Sequence, residues 1–139
     1  MHAPDRHLAR LAHRFGLAAI YAFGSRAQEL AAQVPGATPC APGSDADIGV
    51  QPLPGRTLAA RDRVRLAAEL EDLLGVPRVD LVVLAEAGPF LALEVIRGEL
   101  LYCRDPDAQA EEELYILRRA GDLAPYERER RRLILGAGR

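Results

Sequence analysis

The stretch Leu17-Ala18-Ala19-Ile20-Tyr21-Ala22-Phe23-Gly24-Ser25-Arg26-Ala27 decides how this chain is read. Residues 17–23 form an unbroken apolar run bounded by Gly16 and Gly24, as expected of a short strand buried on both faces. Ser25 is a good helix N-cap, and Arg26, Ala27, Gln28, Glu29 and Leu30 are good helix formers, so a short helix is predicted over 25–34. A glycine at the end of a strand lets a phosphate approach the backbone. The N–H groups that follow and the serine hydroxyl can then bind it. A lone Gly-Ser pair carries little weight, and its meaning depends on what surrounds it.

Upstream, Leu8, Leu11, Ala12 and Phe15 recur at helical spacing and Gly16 follows, which predicts an amphipathic helix over 4–15. Downstream, Pro35, Gly36, Pro39, Pro42 and Gly43 make 34–43 an irregular loop. Residues 45–51 alternate as a second strand would, with Ala46, Ile48 and Val50 on one side. Thr57 is placed to cap a helix running to Leu74, with Leu66, Leu70, Leu73 and Leu74 as its buried stripe and Gly75 as its stop. A third strand is predicted over 78–84. Gly88 and Pro89 open a helix through Arg97 that Gly98 ends, and 99–103 forms a short fourth strand. From Pro106 the pattern is helical, with a break expected at 121–125 and a second helix from Tyr126. This order predicts an α/β (α+β) fold with a small mixed sheet of three to four strands flanked by helices. It reads as a single domain over 1–139 with a C-terminal helical tail from about 107, and with a polar cleft expected at the C-terminal ends of the strands.

Three carboxylates give the pattern its chemistry. Asp45 and Asp47, two apart on a strand, project from the same face. Carboxylates so close resist joint ionisation unless a cation lies between them, and Mg²⁺ prefers such oxygen ligands together with substrate phosphates. Asp80 lies inside Val79-Asp80-Leu81-Val82-Val83-Leu84, where its charge needs a partner. Each has a plainer reading. Asp45 can close an Asx-turn with Asp47 solvated at the strand end, and Asp80 can sit at a sheet edge or accept an arginine.

Composition narrows the classes. With 139 residues, 49% hydrophobic and 27% charged, the chain is an ordinary globular domain. The net charge of −2 argues against general nucleic-acid binding. All 18 basic residues are arginine, which excludes P-loop, kinase-type and Schiff-base lysines and leaves phosphate chemistry to metal, backbone and arginine. Cys40 and Cys103 have neither a metal-ligand nor a disulfide spacing, and His2, His7 and His13 read as surface residues of the first helix. No apolar run approaches the ~20 residues of a membrane span, and no signal peptide opens the chain, so a cytoplasmic location is expected.

Taken together, Tyr21-Ala22-Phe23-Gly24-Ser25-Arg26-Ala27, Ser44-Asp45-Ala46-Asp47-Ile48-Gly49-Val50 and Val79-Asp80-Leu81-Val82 resemble the minimal nucleotidyltransferases of the DNA polymerase β superfamily. These are small proteins that commonly act as antitoxins beside a HEPN-domain RNase toxin. The resemblance implies the nucleotidyltransferase fold, ATP as nucleotide donor and Mg²⁺ as metal. It gives triphosphate binding to Gly24 and Ser25, with Ser44 in the same motif, and metal binding to Asp45 and Asp47. Asp80 is then the third acid, helping to hold a second metal or accepting the acceptor's proton. Arg26 is either a phosphate clamp or an ordinary solvated helix residue. The implied acceptor is a tyrosine on a HEPN toxin, a separate chain because no Arg-x4-His element occurs here. An antitoxin acting by binding alone, and a small-molecule nucleotidyltransferase of the aminoglycoside type, are the alternatives. The 19 residues between Ser25 and Asp45 are more than the resemblance leads one to expect, the excess falling in the Pro/Gly loop. Loops tolerate such insertions at small entropic cost. The tail Glu127-Arg128-Glu129-Arg130-Arg131-Arg132 reads first as a mixed-charge solvated face and second as a surface for a partner.

Overall fold

The computed structural model describes residues 3–33 and 45–137. Ser44, Cys40 and the loop at 34–43 lie outside the described residues. In order along the chain the elements are α1 (Ala3–Phe15), β1 (Leu17–Phe23), a 3₁₀ turn (Gly24–Arg26), α2 (Ala27–Gln33), β2 (Ala46–Pro52), α3 (Ala60–Leu74) and β3 (Val79–Val83). A second 3₁₀ turn (Leu84–Glu86), α4 (Pro89–Ile96), β4 (Glu99–Cys103) and α5 (Pro106–Ala137) complete it.

The four strands form one mixed sheet in the order β3-β2-β1-β4. Central β1 runs antiparallel to both neighbours, and β2 pairs with β3 in parallel. All seven residues of β1 are buried, as its apolar run predicts for a strand covered on both faces. Its side chains alternate. Ile20 and Ala22 join Leu8, Leu11, Leu30, Ile48, Val50, Leu66 and Leu70 in one core, beneath α1 and α3. Ala19, Tyr21 and Phe23 join Ala92, Val95 and Ile116 in a second core on the opposite face, beneath α4 and α5.

Where the local signals were strongest the elements fall as predicted, with β1 and β4 matching their expected ranges and Gly75 closing α3 in the left-handed conformation at φ 67°. Three expectations are corrected. Ser25 does not cap a helix, because residues 24–26 form a 3₁₀ turn whose preceding residue is Phe23, and the α-helix begins at Ala27. Thr57 does not cap α3, which starts at Ala60 after an extended Ala59 without a side-chain cap. No break occurs at 121–125. The helix runs on for 32 residues with Pro125 inside it, at the loss of the hydrogen bond that a proline cannot donate. No helix among the described residues is long and apolar enough to cross a membrane.

Candidate active site

The parallel pairing of β2 with β3 sets Asp47 opposite Asp80, and the antiparallel pairing of β1 with β2 sets Asp47 opposite Phe23. The two aspartates that lie 33 positions apart in sequence are thus neighbours in one ladder, on the face that Tyr21, Phe23 and Val95 occupy. Their neighbours Ala46, Ile48 and Val50 are fully buried on the other face, which fixes the register, since a slip by one residue would turn the acids into the core. Asp45 precedes the strand and is exposed. The expected position at the C-terminal ends of the strands holds for β1 alone. Because β1 opposes its neighbours, its end meets the N-terminal ends of β2 and β4, with Ala22 opposite Glu99, and β2 brings the start of β3 alongside.

Gly24 follows β1 with φ 76°, a left-handed conformation that an L side chain adopts only with strain, and it packs directly on Asp47. A Cβ at this position would overlap Asp47 Oδ2 and stand 3.4 Å from its Cγ. Gly24 and Ser25 are both exposed. They line a cavity of about 710 Å³ together with Gln28 of α2 and Phe90, Glu94 and Arg97 from the α4 segment. That volume is within the range of small-molecule sites.

The helix α4 roofs the site because two close approaches hold it there. Val95 is fully buried against Gly49 of β2, where a Cβ would overlap Val95 Cγ1. Gly98 presses on the end of β1, where a Cβ would overlap the carbonyl oxygen of Ala22 and stand 3.0 Å from Phe23 Cα. Glu94, beside Val95, becomes a fourth acid near the pair. Burial first, and then the charges of Asp80, Glu94 and Asp45, push the Asp47 carboxyl above the usual aspartate range.

Asp80 is half exposed and has Arg78 at 3.2 Å, so one reading of this residue, acceptance of an arginine, is realised from its own strand's approach rather than from a helix. Arg26 is 7% exposed and directed to Glu29 at 3.2 Å. It is neither a solvated helix residue nor part of the cavity lining. His7 and His13 are exposed on α1, and Cys103 is a free thiol. Among the described residues no three Asp, Glu, His or Cys side chains converge as a ready-made metal cage. The donor set nevertheless suits Mg²⁺, which is commonly held by one or two carboxylates with substrate phosphates completing its shell. The mutual repulsion recorded at Asp47 is of the kind a cation relieves.

Gln28, Phe90, Glu94 and Arg97 were not singled out from the sequence. The available signal was Gly49, a glycine between the β-branched Ile48 and Val50 of a strand, which marks a place where another element comes close.

Over residues 8–107 the chain matches the family described as polymerase beta, nucleotidyltransferase. No curated protein matches it. Among solved structures it is similar to a chain of a toxin–antitoxin complex with AMP-PNP, at 25% identity over 97% of this chain and 98% of that one, with a TM-score of 0.66. It is similar to a chain of a mutant MntA-HpeT toxin–antitoxin complex at 25% identity, over 97% and 98% of the two chains, with a TM-score of 0.64. A tri-AMPylated Shewanella oneidensis HEPN toxin in complex with an MNT antitoxin matches in fold, at 24% identity over 98% and 97% and a TM-score of 0.62. With the family match spanning most of the chain and the acidic ladder lying beneath a Gly-Ser turn, the protein belongs to the polymerase beta nucleotidyltransferase family.

Proposed function

We propose that this protein is an Mg²⁺-dependent protein adenylyltransferase that transfers AMP from ATP to a tyrosine of a HEPN RNase toxin and so acts as its antitoxin in the cytoplasm. The observation that carries the reading is the register of Asp47 against Asp80, with Asp47 packed directly beneath Gly24 of the exposed turn that lines the cavity. Support for the partner and the donor comes from what the structures at 25% identity are, a toxin–antitoxin complex with AMP-PNP and a mutant MntA-HpeT complex.

In this reading Asp45, Asp47 and Asp80 hold the metal, while Gly24 and Ser25 receive the triphosphate, with Ser44 as a further nucleotide-binding candidate of the same motifs; Arg26, the other candidate, is buried and paired with Glu29 and does not line the cavity. Mg²⁺, when bound, supplies neutralisation of charge on the triphosphate and orientation of the pyrophosphate leaving group. The acceptor hydroxyl oxygen forms a bond to the α-phosphorus as the bond from phosphorus to pyrophosphate breaks in line. Asp80, half exposed, helps to hold a second metal or takes the acceptor's proton in this reading. Ser25, whose hydroxyl makes no hydrogen bond among the described residues, is available to a phosphate oxygen. With a net charge of −2 the chain is not expected to bind nucleic acid directly.

The test is mass spectrometry of a HEPN-type partner after incubation with this protein, ATP and Mg²⁺, with Asp45→Ala as control. Asp45 is exposed, so the variant keeps the fold. A mass increase equal to AMP on the partner, absent with the variant, is the expected result. An unmodified partner that is still captured and silenced would replace transferase action by neutralisation through binding.

A further inference from the structure

A triphosphate carries several negative charges, and the cavity that would receive it is lined by Glu94, with Asp47 packed beneath its Gly24 and Asp80 paired beside Asp47. Cations on the protein side must therefore come from arginine, since the chain contains no lysine. The nearby arginines are mostly committed. Arg26 is buried and paired with Glu29, and Arg78 is paired with Asp80. Arg97 differs from both. It is exposed, it is the only cationic side chain lining the cavity among the described residues, and its guanidinium has no carboxylate within ion-pair distance among them.

Its backbone is also held in place. Arg97 is the C-cap of α4, with φ −80° and ψ −9°, and its N–H donates to the carbonyl oxygen of Leu93. Two residues before it, Val95 is locked against Gly49. One residue after it, Gly98 presses on Ala22 and Phe23, the strand end that leads into Gly24. A long side chain with a free cationic head thus starts from a fixed point beside the Gly24-Ser25 turn. Guanidinium groups bind phosphate oxygens in a bidentate fork, with more geometric selectivity than an ammonium point charge.

We propose that Arg97 is the phosphate-binding cation of this chain, contacting the triphosphate of the nucleotide in the cavity that Gly24, Ser25 and Glu94 line. This rests on the nucleotide site proposed above and names the residue that offsets the acids' repulsion there. Arg97 acts on binding of the charged donor, while Asp45, Asp47 and Asp80 keep their separate place at the metal.

Titration calorimetry with AMP-PNP and Mg²⁺, and separately with adenosine, tests it on the wild-type protein, Arg97→Ala and Arg97→Lys, with urea unfolding as the check on folding. The expected result is about a tenfold rise in the AMP-PNP Kd for Arg97→Ala, equal to about 1.4 kcal/mol. Adenosine binding should be unchanged, and Arg97→Lys should recover part of the loss. Equal AMP-PNP affinity in wild type and Arg97→Ala overturns the role of Arg97 and leaves the nucleotide site standing. A parallel loss of adenosine and AMP-PNP binding overturns it too, by making Arg97 a structural residue. Failure of the wild type to bind AMP-PNP at all overturns the nucleotide site itself and this proposal with it.

Discussion

Replacing Gly24 by alanine separates two costs that coincide at this position. The first is conformational. At φ 76° an L-residue pays about 1–2 kcal/mol relative to a right-handed conformation, of which about 0.4–1 kcal/mol returns through the lower entropy of the unfolded chain. A net loss of roughly 1 kcal/mol follows. The second cost is positional. The new methyl overlaps Asp47 Oδ2, the far end of a side chain able to swing aside, so the fold is spared but the carboxylate moves. A displacement of about 1 Å at a reacting centre costs on the order of a hundredfold in rate. Gly75 provides the control, because it has φ 67° at the end of α3 and a Cβ there meets nothing within 4 Å. Gly75→Ala should therefore lose about the same 1 kcal/mol by urea unfolding and keep full AMP transfer, while Gly24→Ala loses the same stability and roughly a hundredfold in transfer. Equal transfer rates in the two variants would refute the argument that Gly24 is needed for the placement of Asp47. So would a stability loss in Gly24→Ala far beyond that of Gly75→Ala, because the carboxylate would then be unable to yield.

Two other perturbations have definite signs. The Asp47 carboxyl titrates above its ordinary 3.8 in the folded chain, so the native state holds the proton more tightly than the unfolded one. The contribution of Asp47 to the stability of the metal-free protein is then most favourable below the ordinary value and falls as pH rises from it through the raised one. Asp47→Asn should accordingly have a higher urea midpoint than wild type at neutral pH without metal, with the gap closing at low pH, and added Mg²⁺ should stabilise the wild type more than the variant. Among the described residues the outer part of α5 contributes no buried side chain after Ala120, with Tyr126, Leu133, Ile134 and Leu135 between 61% and 74% exposed. Truncation after Asp122 should leave the unfolding free energy within about 0.5 kcal/mol of the full chain, and a larger loss in urea unfolding would show that the outer helix is anchored to the domain.

What was legible in the sequence is what depends on local pattern. The buried run of β1, the alternation of Ala46, Ile48 and Val50, and the glycine stop of α3 each express a period or a backbone requirement in consecutive residues. The acidic pair could be read from Asp45 and Asp47 and joined to Asp80 by resemblance, but their ladder pairing depends on which strands are neighbours, and this no single segment encodes. Glu94 and Arg97 were illegible for the same reason. They reach the cavity through the docking of Val95 on Gly49 and of Gly98 on Ala22, contacts between segments far apart in sequence. Capping signals failed where the chain took another local conformation. Ser25 lies in a 3₁₀ turn set by Gly24, and α3 starts three residues beyond Thr57. The break expected at 121–125 does not form, and the helix carries Pro125 in its interior without the donor that a proline lacks.

The connection between the two acid-bearing strands has a consequence for how such a domain can change. Parallel β2 and β3 are joined through α3, and α3 lies with α1 on the face of the sheet away from the acids. The outward surfaces of these helices therefore form a wall insulated from the chemistry by the full thickness of the sheet. Substitutions can accumulate on that wall without passing through the residues that face the cavity. The outer surface on one side of a single sheet can drift while the acids on the other side keep their places.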